Sequence, residues 1–233
     1  EHNVRNILSL FEEELFHIQN ERIQITFSVG IAKEKHNLFT KADIALHHSK
    51  ENKSRVSTYK ENANIEKKYK QNIAMSTSIR EALMNNRIIC HYQPIVNAST
   101  NEIDKYETLV RMIDKNGLII PPIEFLDISK KTKLYSHITL EVINQACNTF
   151  KNRSEIFSVN LSIDDIKEPN TVHEIIKAIT TTKTASRIVF EILESEGIEN
   201  YEEVSDFTIQ MKALGAKIAI DDFGTGYSNF EHI

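Results

Sequence analysis

Five side chains with the same chemistry occupy comparable places in this sequence: Glu107 in KYETLVR, Asn160 in FSVNLS, Glu191 in VFEILE, and the adjacent Asp221 and Asp222 in IAIDDFGTG. Each ends, or directly follows, a short apolar run that reads as a strand. All are hard oxygen donors, with no Cys or His among them. Such a set favours magnesium, manganese or calcium over zinc or copper. Carboxylates gathered at one point repel each other unless a cation stands among them. The pair Asp221 and Asp222 could serve two ions at once, and two ions are a common means of hydrolysing phosphodiesters, because one activates water while both offset charge on the phosphoryl oxygens. Arg111, on the same run as Glu107, offers a bidentate partner to a phosphate. Taken singly, each acid is as easily a solvated strand end or a helix cap, and Arg111 an ordinary ion-pair residue. The repetition along the chain is what points to chemistry.

Positioning them requires a particular order of elements. Beyond Arg87, apolar runs at Ile88–Val96, Asp104–Met112, Ile156–Leu161, Arg187–Leu193 and Lys217–Ile220 alternate with amphipathic helices around His137–Phe150, Val172–Thr180 and Glu202–Leu214, the last followed by Gly215 where a C-terminal cap is wanted. That alternation predicts a parallel sheet of βα units, open or closed into a barrel. In a β/α barrel the C-terminal strand ends converge on one mouth, so groups about 30 residues apart in sequence meet in space. Upstream, the pattern predicts a helix through Phe11–Phe16 and a strand at Ile23–Ile31 with Ile23, Ile25, Phe27 and Val29 on one side. A helix follows from about Ala42 to Lys50 with Thr40 as its N-cap, then a short strand at Arg55–Tyr59. Between these parts, residues 61–87 carry Ile65, Tyr69, Ile73, Ile79 and Leu83 at helical spacing and no Pro or Gly, which reads as a solvated connecting helix.

The 33 acidic and 28 basic residues give a formal charge of -5, so no overall positive field would draw the chain to DNA or to an anionic membrane. Cys90 and Cys147 lack CxxC spacing and indicate neither a disulfide framework nor a zinc cluster; a reducing cytoplasm suits them. No run approaches the roughly 20 apolar residues of a membrane-spanning helix. The sequence opens at Glu1 without an initiator Met, which leads to the expectation of residues upstream, where a membrane anchor or sensor would lie.

At the acidic residues the sequence resembles the EAL domain, a family that hydrolyses cyclic di-GMP to the linear dinucleotide pGpG on a β/α barrel with magnesium or manganese. CHYQPIVNASTNEIDKYETLVR is similar to the family's opening, and FSVNLS, FEILESE and IAIDDFGTGYSNF are similar to its next blocks, in the same order. The resemblance implies that Glu107, Asn160, Glu191, Asp221 and Asp222 are ligands to two ions, with Asp222 shared. It makes Glu107, Asp221 and Asp222 the catalytic core. It places Gln93 on a guanine and Arg111 on a phosphate. Glu194 would brace the loop after Asp222, where Gly224 and Gly226 permit a tight backbone. A homodimer through this domain is implied as well.

Residues 1–60 resemble the end of a GGDEF domain, the fold that makes cyclic di-GMP: ITFSVGIA is similar to its late strand and KADIALHHSKENKSRV to its last helix and strand. The expected organisation is therefore residues 1–60 as the tail of an α+β GGDEF-like domain, 61–87 as a linker helix, and 88–233 as the N-terminal part of an EAL-like phosphodiesterase, an incomplete TIM-like β/α barrel. Two departures bear on it. The signature reads E-T-L, and Thr108 for alanine is a small change that should be tolerated. The family would continue past Ile233 with a lysine and a further glutamate, so the chain reads as a truncated and inactive piece of an active parent. The alternative is a degenerate barrel that senses cyclic di-GMP without cutting it.

Overall fold

The computed structural model describes residues 2–13, 16–18, 21–23, 25–33, 36–52, 54–60, 63–193 and 201–221, and the chain divides into two compact units, Glu1–Ile73 and Ala74–Ile233. The first begins with helix α1 (His2–Glu13), and Phe16, expected in that helix, instead opens a strand. Strands β1 (Phe16–Ile18) and β2 (Glu21–Ile23) pair antiparallel. Strand β3 (Val29–Ile31) pairs in parallel with β4 (Val56–Thr58), and helix α2 (Leu38–Glu51) connects them.

The single strand expected over 23–31 is thus two short pieces. Phe27, placed by alternation on the buried side, is 43% exposed and meets the edge of Phe11 at 5.0 Å between ring centres. Pairing to β4 extends only over Val29–Ile31, so the ladder gives residues further back no reason to stay extended. Helix α2 starts a turn before the expected Thr40 cap. Asn37 takes a left-handed conformation, φ 55°, and its carbonyl accepts the Lys41 amide at 2.9 Å, a role Asn tolerates better than most residues. Ile44, Ala45 and Tyr59 form the small core of this unit, with Ala32 and Tyr69 packed on it. Tyr69 donates to Asp43 and Tyr59 to Glu66. The hydrogen bond to Asp43, then burial, then the charge of Asp43 push the Tyr69 phenol up to about 12.

Helix α3 (Ala63–Met84) fills most of the stretch read as a connector. Its C-terminal half is not solvated: Ile79 and Ala82 are both 0% exposed and lie in the core of the second unit. Their near-helical spacing with Leu83 carried the same amphipathic signal as the exposed Ile73, and spacing alone does not say what will cover a stripe.

The second unit runs β5 (Ile88–Val96), β6 (Ile103–Ile113), β7 (Ile119–Ile120), α4 (Pro122–Lys131), α5 (Tyr135–Phe150), β8 (Ile156–Leu161), α6 (Ile163–Lys167), α7 (Pro169–Thr181), β9 (Ile188–Leu193), α8 (Tyr201–Ala213) and β10 (Lys217–Asp221). The main path of its six-stranded sheet is β10-β9-β8-β6-β5, with β7 paired to β6. Strands β6, β8, β9 and β10 are parallel, as the βα alternation requires, and among the described residues the sheet is not closed into a barrel. The first pair departs from expectation, because β5 and β6 are antiparallel. The chain between them is too short for a crossover. It turns instead on Asn97, whose side-chain oxygen accepts the Ser99 amide at 2.9 Å, and on Asn101 with φ 57°. One face of the sheet carries Phe157, Val159, Phe190 and Ile192 into a core shared with Ile143, Phe150, Ile175 and Phe207. Phe150 and Phe157 stack at 4.6 Å. Each such ring contributes about 2–3 kcal/mol by leaving water.

Asp165 locks the start of α6. Its carboxylate accepts from the Ser162 amide at 3.2 Å, the Ser162 hydroxyl at 3.0 Å and the Thr139 hydroxyl of α5 at 3.0 Å, and Ser162 completes a capping box. Burial pushes the carboxyl above its usual range despite these donors.

A Cβ at Gly30 would fall within contact distance of the Ala42 carbonyl and the Leu46 amide of α2, so Gly30→Ala should cost about 1–3 kcal/mol in a denaturant melt. Asp165→Ala should cost about 2–3 kcal/mol, since it strands three buried donors. Because the folded-state pKa of Asp165 lies above the unfolded one, its ionisation works against folding. Its titration adds most to stability below the ordinary carboxylate range, and that gain fades as pH rises through the folded value. Asp165→Asn should therefore gain on the parent as pH increases across that window.

Candidate active site

Register decides which side chains share a face. In β6, Glu107 lies opposite Gln93 of β5 and Ser158 of β8. Asn160, two residues beyond Ser158, is paired with Glu191 of β9, and Glu191 is paired with Ala219 of β10, two residues before Asp221. Since paired residues and every second residue point the same way, Gln93, Glu107, Asn160, Glu191 and Asp221 occupy one face. The helix-covered core occupies the other.

They also lie within reach of one another's charge. Burial first, then the charge of Glu191, and further on that of Asp221, push the Glu107 carboxyl above its usual range, while a hydrogen bond from Asn160 and the charge of Lys105 hold it down. Lys105 reaches across β8 to Glu191, with Nζ 3.1 Å from Oε1, and the two side chains are 29% and 12% exposed. Ser158, fully buried between Glu107 and Val189, has an Oγ with no hydrogen-bond partner. Beside Asn160, between the sheet and helices α4 and α5, a cavity of about 320 Å³ is lined by Asn160, Leu193, Thr108, Asp127, Lys130 and Tyr135 among others. That is room for a small ligand.

Donor chemistry suits a hard divalent cation: an amide oxygen and three carboxylates, one of them pushed above its usual range by burial and then by its neighbours' charge. Among the described residues no three His, Cys, Asp or Glu side chains close on a single point. Lys105 stands among the donors in their place.

The EAL-domain family model matches residues 76–233. The chain belongs to the EAL domain family. Its match begins inside α3, near the division between the two units at Ile73 and Ala74. The chain is 27% identical over 234 residues to the bifunctional diguanylate cyclase/cyclic di-GMP phosphodiesterase MucR of Pseudomonas aeruginosa, covering 94% of this chain and 34% of that protein. It is 25% identical to the cyclic di-GMP phosphodiesterase PdeB of Shewanella oneidensis, covering 99% of this chain and 28% of that protein. It thus spans about a quarter to a third of such curated relatives. Among solved structures, the MucR phosphodiesterase in complex with c-di-GMP aligns with TM-score 0.62 and 28% identity over 66% of each chain. The FimX EAL domain of Xanthomonas citri aligns with TM-score 0.65 and 19% identity over 72% of this chain and 69% of its own, a likeness of fold.

Within this EAL domain the structure brings together Glu107, Asn160, Glu191 and Asp221, with Gln93 directly across from Glu107. Arg111 shares their face two alternations further along β6, opposite Ile89, but its Nη1 donates to the Val110 carbonyl at 2.7 Å. Asp222, Glu194, Gly224 and Gly226 lie outside the described residues. The sequence reading missed Lys105. The signal was available, since Lys105 precedes Glu107 by one alternation and so shares its face. It also missed helix α4, whose Pro122 at the first turn marks a start.

Neutralising Glu107 removes like-charge repulsion from this face. Glu107→Gln should therefore melt at a higher temperature than the parent at neutral pH, read from thermal melts in chelator.

Proposed function

We propose that this EAL domain is the acidic, ion-binding part of a cyclic di-GMP phosphodiesterase that hydrolyses cyclic di-GMP to pGpG with two magnesium or manganese ions. The observation that carries the reading is the convergence of Glu107, Asn160, Glu191 and Asp221 on one face, fixed by strand register. These four and Asp222 would hold the ions, Asp222 serving both. Bound there, the ions would supply Lewis-acid stabilisation of the phosphoryl oxygens and an activated water. Gln93, opposite Glu107, would orient a guanine, and Arg111 would turn from the Val110 carbonyl to a non-bridging phosphate oxygen. Glu194 would brace the loop carrying Gly224 and Gly226, and the domain would act as a homodimer.

The first unit is read as the tail of a GGDEF-type domain. The alignment to MucR, named as a bifunctional diguanylate cyclase and phosphodiesterase, supports this by extending over 94% of the chain. A LapD segment of Vibrio cholerae described as S helix-GGDEF-EAL aligns over 88% of this chain at 16% identity and supports it at the level of fold. The boundary falls within α3, whose C-terminal half packs in the EAL core. No helix among the described residues is long and apolar enough to cross a membrane, and a cytoplasmic site of action fits a nucleotide substrate.

A second reading has an observation of its own. With Lys105 bound to Glu191, the domain could hold cyclic di-GMP without cutting it. Incubating the full-length protein with cyclic di-GMP and Mg2+ or Mn2+ should yield linear dinucleotide, and Glu107→Ala should reduce turnover by about 10³-fold or more. Tight calorimetric binding without product would establish the sensor reading instead. Undiminished turnover in Glu107→Ala would refute the ligand assignment.

A further inference from the structure

We propose that Lys105 is the resident counter-cation of the carboxylate cluster, and that a divalent ion must take Glu191 from it, so that Lys105 sets the ion affinity of the site. The inference rests on the ligand roles assigned above to Glu107 and Glu191. Most lysines at a strand end trail into water, where an ion pair is worth little. This one does not. Its stem lies on the site face of β6, and its ammonium crosses the intervening strand β8 to reach Glu191 at 3.1 Å, with Glu191 only 12% exposed. Glu107 also feels its charge, along with those of Glu191 and Asp221.

The placement follows from register. Lys105 is paired with Ile156, four residues before Asn160 along β8, while Glu191 is paired with Asn160 itself. The lysine is therefore rooted below the carboxylates and reaches up to them. A single positive charge on the floor of the site offsets part of the repulsion among Glu107, Glu191 and Asp221 when no ion is bound. The same charge opposes a divalent ion that shares Glu191. A carboxylate oxygen engaged by an ammonium is a weaker donor to a metal, and two cations within a few ångströms repel strongly where solvent is partly excluded.

Mn2+ alone, without nucleotide, is the probe, titrated calorimetrically into the full-length protein and its Lys105→Met, Lys105→Gln and Lys105→Arg variants, each checked for native circular dichroism. Lys105→Met and Lys105→Gln should bind Mn2+ about tenfold more tightly than the parent. In chelator both should melt at a lower temperature than the parent, because the acids have lost their counter-charge. Lys105→Arg should restore parental values in both measurements. Parental or weaker Mn2+ affinity in the two neutral variants, beside clear binding by the parent, overturns the role of Lys105 and leaves the ligand assignment standing. An unchanged melt in chelator overturns it as well. Absence of Mn2+ binding in the parent and all variants overturns the ligand assignment itself.

Discussion

A strand covered by helices on one side can present only every second residue to the other, and the second unit of this chain depends on that constraint. Along β8, Phe157, Val159 and Leu161 point into the core, so Ser158 and Asn160 must point away from it. In β9 the same rule turns Val189, Glu191 and Leu193 to the site face and Ile188, Phe190 and Ile192 to the helix-covered core. A slip of one residue at either pairing would bury Glu191 under α8 and expose Phe190, at a cost far beyond any gain from the site. The core therefore holds the acids in register, and no contact among the acids is needed to do so.

What the acids contribute is opposed to stability. Glu107 is held above its ordinary range by burial and by its neighbours' charge, the expected penalty for clustering like charges away from water. Clustering of this kind stores electrostatic repulsion that a cation would relieve, and an all-oxygen donor set is of the hard kind that suits a divalent ion. Lys105 relieves part of that repulsion from within the chain.

Strand positions were legible because each buried run is apolar and bounded by turn residues: β5 and β8 fall where the sequence places them, at Ile88–Val96 and Ile156–Leu161. Direction was less so. Alternating helices and strands imply parallel pairing, but residues 97–102 make a turn through an Asn side chain and an Asn in the left-handed region, and that local chemistry sets β5 antiparallel to β6. The short strands of the first unit were blurred for a related reason. Val29–Ile31 has a partner and the alternating residues before it do not share that pairing, so alternation alone overstated the strand. Lys105 was overlooked because a lysine near a strand start reads as solvated until the register shows an acid within its reach.

The antiparallel first pair also decides which way Thr108 points. A hairpin from β5 to β6 sets Gln93 directly across from Glu107, so these two side chains come from one local turn rather than from distant βα units. Alternation then assigns the signature's three residues to different jobs. Glu107 and Leu109 face the site, whereas Thr108 faces the helices and is 3% exposed. A small side chain suits that place because α5 packs over it, beside Ile138 and Val142 in the cavity wall. Threonine fits in volume, but its Oγ1 is buried without a hydrogen-bond partner. An unpaired buried hydroxyl costs about 1–3 kcal/mol. That cost falls on packing under the sheet, while the donor geometry of Glu107 on the opposite face is left intact.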